Sequence, residues 1–405
     1  MPESVVPIIS FVDEGLGHSS YLVDLGDGRA LVVDPPRIPD RHEAAAAARG
    51  LRIAYTADTH SHADYVSGGP ELAARGAEFL ASKGAGLRVP HHDVEAGDEI
   101  TLTDALSLRA IPTPGHTPDH LAYLLREHGE PVALFSGGSL MVGTVGRTDL
   151  LGLAPREDLT RQLYRALRDE ILTLPDDLAV YPTHGAGSFC SAPGATERTT
   201  TIGRERATNT LLQAPDEDTF VRQLLAGLGT FPTYFSRLPG YNQHGPRLYR
   251  DLPTLARLSV DDARSRLEHG ALLVDVRPIA DFAAAHIVGS LSLELRPVFS
   301  SCSAGWPSLT GRWCSSLPTI RTAPSSCVNA SRSGTNRSLV SSTVASPGGA
   351  TRDFPSGAST WSMRNACAAP SSMSVRTMST WQVTSPARST SSSVRSRVRR
   401  RPKDR

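Results

Sequence analysis

The sequence lacks any apolar run close to the roughly 18 residues that cross a bilayer, so no membrane-spanning helix is predicted. It also lacks a recognisable signal peptide, because the apolar stretch over residues 5–12 follows Glu3 and is interrupted by Pro7. A cytoplasmic, reducing location is therefore predicted. No collagen-like repeat is present, which leaves a globular protein.

Acidic residues are scarce at one end of the chain. Residues 301–405 hold 15 of the 42 Lys and Arg but only 2 of the 41 Asp and Glu. All four Trp and four of the five Cys also lie beyond residue 300. A chain of 405 residues is expected to form two or three domains, and we expect the function to lie before residue 300.

Two explanations fit the tail, residues 299–405. The conventional one is a Ser/Arg-rich disordered tail whose basic end would attract nucleic acid. The one we favour is a shift of reading frame, because a shifted GC-rich coding frame yields Ser, Arg, Pro, Cys and Trp. Under either explanation no folded structure is predicted there. Because we favour the frame shift, no nucleic-acid partner is expected.

The first 300 residues show the pattern of an α/β protein. An Asp27-Gly28 pair between two β-rich runs predicts a hairpin. Further strands are predicted at 99–102, 107–111, 121–125 and 132–135, and a helix at 156–172. The order of elements predicts mixed sheets with outer helices. We expect a first domain over 1–195, a helical bridge over 196–256 and a second α/β segment over 257–298.

Three turns present histidines after predicted strands. His60, His62 and Asp64 stand two residues apart, so an extended backbone projects them to one side. His116 and His184 each lie in a tight Pro-containing turn. Rigid turns at a sheet edge suit metal coordination, and the pattern therefore predicts a metal site.

Four stretches resemble motifs of the metallo-β-lactamase superfamily, in particular its persulfide dioxygenase and glyoxalase II branch: THSHADYVSGG, PTPGHT, SGGSLMVGTVGRTDL and YPTHGAGS. A later stretch, LLVDVRPIADFAAAHIVGS, resembles the first half of a rhodanese domain. The resemblance covers residues 5–297. It implies an αββα sandwich followed by a partial rhodanese-like α/β segment.

The resemblance also implies metal ligands: His60, His62 and His116 for a first ion, and Asp64 and His184 for a second. Two positions depart from the family motif. Tyr65 stands where the family has another histidine, and Gly138 stands where it has an aspartate ligand. If Gly138 lies at the ligand position, the substitution Gly138→Asp is expected to increase iron retention.

With these departures we expect one divalent metal ion, Fe(II) or Zn(II). An Fe(II) site with two histidine ligands and one carboxylate ligand would keep His60 and His116 but would lack its carboxylate at Gly138. A site of His60, His62 and His116 suits Zn²⁺, which lowers the pKa of a bound water to ~7. Asp64 or His184 is expected to add a weak ligand or to act as a proton acceptor. The alternative is a degenerate, metal-free site.

Three smaller signals complete the pattern. The segment from Gly146 to Asp149 resembles a Gly-Arg-x-Asp segment of the persulfide dioxygenase branch. This resemblance implies that Arg147 and Asp149 help to form the wall of the active site. The alternative is that the two residues form a surface ion pair. Cys190 is expected to be a small buried residue. Residues 300–405 contain no loop resembling that of the rhodanese nucleophile, so sulfur transfer is not expected.

Three functions follow from these observations. The first is a persulfide dioxygenase that converts glutathione persulfide or a similar thiol persulfide to sulfite, impaired by Gly138. The second is a zinc-dependent hydrolase of thioesters, and the third is a metal-free binding protein. The expected partner is a small thiol persulfide or thioester, with no membrane; a homodimer is compatible with the sequence.

Overall fold

Two six-stranded sheets dominate the computed structural model, which describes residues 6–190, 197–252, 256–305, 313–316 and 339–342. The first sheet consists of β1 (Ile8–Asp13), β2 (His18–Asp24), β3 (Arg29–Val33), β4 (Arg52–Ala57), β5 (Glu78–Ser82) and β6 (His92–Val94). These strands pair in sequence order. Pairing is antiparallel from β1 to β3 and parallel from β3 to β6.

The second sheet is built from β7 (Glu99–Thr101), β8 (Leu106–Pro112), β9 (Leu121–Glu127), β10 (Glu130–Gly137), β13 (Ala179–Pro182) and β14 (Thr200–Thr201). Between β10 and β13 in the sequence, β11 (Leu140–Met141) and β12 (Thr144–Val145) form a separate hairpin. The order in the sheet is β14-β13-β10-β9-β8-β7. Only the β10–β13 pair among these is parallel.

Helices α1 (Asp40–Ala47) and α2 (Gly69–Ala73) cover the outer face of the first sheet, and α3 (Arg156–Asp169), α4 (Ile202–Thr208) and α5 (Glu217–Gly227) cover that of the second. Helix α6 (Leu238–His244) packs against the loop that follows β4. Short 3₁₀ turns lie at Lys83–Ala85, Ile171–Thr173, Thr233–Ser236 and Tyr249–Asp251. Within the described chain, no helix is both long and apolar enough to cross a membrane.

Successive residues of a strand point to opposite faces of its sheet, so the core between the two sheets is distinct from the cores under the outer helices. In β2, Tyr21 and Val23 pack between the sheets, whereas Leu22 packs outward with residues of α1 and α2. On the other side, Leu124 of β9 packs outward against Leu163 of α3. The fold is therefore the αββα sandwich that the sequence predicts.

Several predicted elements are confirmed. The hairpin at Asp27-Gly28 joins β2 to β3, where Gly26 and Gly28 adopt positive φ. The predicted helix over 156–172 is α3. The segment 196–256 does more than bridge, since Phe220 and Leu224 of α5 pack into the core outside the second sheet.

A third, parallel sheet follows the sandwich. It contains β15 (Leu272–Asp275), β16 (Leu291–Ser292), β17 (Trp313–Ser316) and β18 (Leu339–Ser342) in the order β16-β15-β17-β18, with helices α7 (Val260–Glu268), α8 (Ile279–Ala284) and α9 (Phe299–Gly305). Helix α9 and two strands thus lie within the range predicted to be a tail. The rest of that prediction falls outside the described residues.

Candidate metal centre

Each candidate ligand lies just beyond the carboxyl end of a strand. His60 follows β4 of the first sheet, whereas His116 and His184 follow β8 and β13 of the second. The three imidazoles are buried, and their ligand atoms lie within 4.8 Å of one another. The ring centroid of His60 is 4.9 Å from that of His116 and 5.3 Å from that of His184. The turns therefore converge at one edge of the sandwich.

Hydrogen bonds fix which nitrogen of His60 and His116 carries the proton. The Thr59 hydroxyl donates to Asp34 (2.8 Å), so it must accept from Nδ1 of His60 (2.8 Å). Nδ1 of His116 donates to the carbonyl of Arg147 (2.8 Å). Both rings therefore present an Nε2 lone pair, in the arrangement common to metal-binding histidines.

His184 completes the trio at a distance that suits a shared ion. Its Nε2 lies 3.3 Å from Nε2 of His60. With Zn–N bonds of roughly 2.0–2.1 Å and tetrahedral angles, two nitrogens on one zinc ion lie about 3.3 Å apart. Nδ1 of His184 is buried without a hydrogen-bond partner. The residues present therefore fit a bound metal ion.

The sequence predicted a different trio, with His62 in place of His184. In the structure His62 belongs to a second group, with Asp64 and His184. Nε2 of His62 hydrogen-bonds the hydroxyl of Tyr65 (2.9 Å) and lies 3.3 Å from a carboxylate oxygen of Asp34. These partners occupy Nε2 of His62, whose ring centroid lies 4.3 Å from that of His60, and leave its Nδ1 without a hydrogen bond.

Electrostatics separate the four imidazoles in the same way. Burial lowers the pKa of His116 to about 4 and lowers the pKa values of His60 and His184 well below the usual range, so these rings are neutral and able to bind metal. Burial opposes the charge on His62 too. The nearby carboxylates, Asp34 above all, outweigh it and raise the pKa of His62 to about 9.

The two groups share His184, and His62 also belongs to a third group, with Asp34 and Asp58. Asp64 lies 3.4 Å from Nδ1 of His184, and burial raises the pKa of Asp64 to about 6. Both groups include His184, and Gly138 supplies no side-chain carboxylate to bridge two ions.

Asp34 is a functional residue that the sequence reasoning missed. Its carboxylate accepts hydrogen bonds from the backbone N–H (2.7 Å) and hydroxyl of Thr59 and from the hydroxyl of Thr183, and it pairs with His62. Burial disfavours its charge, but His62 and these hydrogen bonds outweigh burial and lower the pKa of Asp34. One carboxylate thus braces the neighbours of two ligands, His60 and His184.

Gly138 is tightly enclosed rather than open. A Cβ atom placed there would lie 2.3 Å from Cδ2 of His116. The backbone N–H of Gly138 donates to Nε2 of His120 (2.8 Å), whose ring stacks on His60. The imidazole of His116 therefore fills the space that a side chain at position 138 would need.

Arg147 is buried and pairs with the half-buried Asp149. The sequence predicted that both help to form the active-site wall, with a surface ion pair as the alternative. The guanidinium binds Asp149 (2.7 and 3.0 Å) and the carbonyls of Phe189 and Gly229 (2.7 Å each). It also lies over the ring of Phe231, 4.4 Å from its centroid. The side chains therefore brace loops, and only the backbone carbonyl of Arg147 reaches a candidate ligand.

Cys190 is buried, as predicted. It packs with Ala63, Val66 and Tyr234, and burial raises its pKa well above the usual range. The thiol is therefore protonated, which is not the state of a nucleophile.

Comparisons with known proteins point to one superfamily. The hydroxyacylglutathione hydrolase of a Polaromonas species is 37% identical over 171 residues, 41% of this chain and 61% of that protein. The persulfide dioxygenase ETHE1 of Bos taurus is 30% identical over 192 residues, 47% of this chain and 72% of that protein. This chain thus spans less than two thirds of the Polaromonas protein. No family model matches the chain.

A solved structure shares the wider architecture. It is a metallo-β-lactamase from Staphylococcus aureus subsp. aureus COL, 26% identical, with a TM-score of 0.72. The match covers 84% of this chain and 99% of that one. The similarity therefore extends beyond the sandwich.

Proposed function

The chain belongs to the metallo-β-lactamase superfamily, and from this premise we propose that it is a mononuclear metal enzyme that oxygenates a small thiol persulfide. The overall reaction would convert a thiol persulfide, dioxygen and water to the thiol and sulfite. Membership in the superfamily supports a metal-dependent reaction, and the bovine relative supports a persulfide substrate.

The observation that carries the proposal is the trio of His60, His116 and His184. A two-ion hydrolase would need a bridging carboxylate, which Gly138 does not supply. A one-ion plan needs His60, His116 and a third ligand, and His184 lies in place to provide it. Imidazole nitrogens are suitable ligands for iron, so this trio would hold Fe(II), which when bound supplies redox chemistry with dioxygen.

The protein's own residues would orient the ligands and exclude water. Thr59 and the carbonyl of Arg147 fix the rings of His60 and His116 with Nε2 toward the centre. Both rings and that of His184 are almost fully buried, which keeps bulk water from the reacting groups. Asp64, beside His184, is placed to accept a proton.

A zinc-dependent thioester hydrolase is the second candidate. It is favoured by the 3.3 Å separation of the Nε2 atoms of His60 and His184, and by three neutral imidazoles, which match a catalytic zinc site with one open position. The Polaromonas relative, named a hydrolase, agrees with it.

Two assays on protein purified without added metal separate the candidates. We expect bound iron and oxygen consumption with glutathione persulfide, both abolished in His116→Ala and retained in His244→Ala, since His244 is an exposed histidine on α6. Bound zinc with cleavage of a glutathione thioester and no oxygen uptake would replace the first candidate with the second. Absence of both activities would contradict both.

For residues 257–298 we propose a partial rhodanese-like segment without sulfur transfer. The resemblance predicts that Asp275 and Arg277 brace a loop, and Arg277 binds the Asp275 carboxylate (2.6 Å) and the carbonyl of Ala285. Cys302, on α9, packs against the core around Val274 and Phe299. No loop resembling that of a rhodanese nucleophile occurs in the sequence beyond residue 300.

A further inference from the structure

The loop that carries His62 and Asp64 has no regular secondary structure of its own. Residues 61–66 lie between β4 and α2 without helical or strand pairing, yet they are almost all buried. Buried backbone groups need hydrogen-bond partners, because an unpaired one costs as much as a lost hydrogen bond. Other parts of the chain must therefore supply those partners.

The partners come from a segment far along the chain. The side-chain amide of Asn242, on α6, donates to the carbonyls of His62 (2.9 Å) and Tyr65 (3.0 Å). Its oxygen accepts from the backbone N–H of Ser67 (3.1 Å). The hydroxyl of Tyr234 donates to the carbonyl of Asp64 (3.1 Å). Two side chains thus make four hydrogen bonds to one loop.

Asparagine suits this position for a chemical reason. Its amide offers two donors and an acceptor on a short side chain, and here both carbonyls and the N–H are satisfied at once. Asn242 is only 5% exposed, so water cannot substitute for a lost bond without rearrangement. An aspartate of the same shape could keep the bond from Ser67 but could donate to neither carbonyl.

We propose that Asn242 is a positioning residue of the metal centre: its amide holds, from outside the two sheets, the loop that directly follows the ligand His60, and metal affinity depends on that hold. Tyr234 acts in the same way through Asp64. The inference rests on the proposed metal site and deepens it, because it makes α6 and the turn at Thr233–Ser236 part of the centre's support.

The test is the affinity of full-length protein for Zn²⁺, measured by competition with a chromophoric chelator. Asn242→Asp should weaken binding by about 10-fold, the low end of the range typical when a group that orients a ligand is removed, because the loop adjoins His60 and carries no member of the trio. Tyr234→Phe, which deletes one hydroxyl and keeps the ring, should weaken it several-fold. Gln243→Ala is the matched control, because Gln243 neighbours Asn242 but binds the carbonyl of Ala85.

A second readout separates positioning from stability alone. Thermal melting without metal would fall in any destabilised variant, whereas Zn²⁺ affinity of the folded protein falls only if the ligands are displaced. Zn²⁺ affinities of Asn242→Asp and Tyr234→Phe equal to that of Gln243→Ala would overturn the inference; if Asn242→Asp does not fold, Tyr234→Phe alone decides. Wild-type protein without measurable Zn²⁺ affinity would overturn the proposed metal site as well.

Discussion

Replacing Asp34 by asparagine should remove most of the metal affinity and destabilise the fold, because one carboxylate supports three parts of the centre. It binds Thr59, which orients His60, it binds Thr183, which precedes His184, and it pairs with His62. Removing one partner of a buried ion pair costs about 3–5 kcal/mol. We expect that loss in urea unfolding, together with a roughly 10–100-fold loss of metal affinity.

The control for this substitution is Asp27→Asn. Like Asp34, Asp27 is a member of an ion pair, but its partner is Arg29 and the pair lies on the surface, where the Asp27 side chain is 37% exposed. Such pairs contribute about 0–1 kcal/mol, so stability and metal affinity should stay close to wild type. An Asp34→Asn protein as stable as the Asp27→Asn protein and equally able to bind metal would show that Asp34 is not the support we describe.

The substitution Gly138→Asp should reduce metal retention, contrary to the expectation from the sequence motif. Its Cβ would lie 2.3 Å from Cδ2 and 2.9 Å from Nε2 of His116. The ring must turn away and break its hydrogen bond to the carbonyl of Arg147. We expect a loss of stability of about 1–3 kcal/mol, as for other overpacked sites, and a lower metal content by elemental analysis.

Gly138→Ala and Gly227→Asp separate steric from electrostatic effects. Alanine introduces the same Cβ without a carboxylate and should also lower metal content. Gly227 lies at the end of α5, where a Cβ atom would meet no other atom within 4 Å, so aspartate there should leave the metal content unchanged. Higher iron retention in Gly138→Asp than in wild type would mean that His116 gives way and that the motif-based expectation was right.

Local patterns predicted mixed sheets with outer helices, and the family resemblance supplied the αββα sandwich. Turn chemistry at Asp27-Gly28 and the apolar runs of β2 and β9 depend on neighbouring residues alone. The role of α5 in covering the second sheet could not be read in this way. Phe220 acquires its partners across a long stretch of chain, and no local pattern specifies them.

In the candidate site, too, local sequence predicted some features, whereas others depend on contacts between distant parts of the chain. The histidines at 60, 62, 116 and 184 were identified from their turns, but the grouping of His184 with His60 and His116 depends on how β13 pairs with β10. Asp34 and Asn242 escaped notice because neither lies in a histidine motif. Asp34 offered one signal, a lone carboxylate at the end of an apolar strand, as in Val33-Asp34.

The most direct test of the proposed centre is the metal bound per chain, measured by mass spectrometry on wild type, His184→Ala and His62→Ala. We predict one ion in wild type, none in His184→Ala and most of the ion in His62→Ala. Two ions in wild type, or an ion lost with His62 and kept without His184, would contradict the one-ion trio.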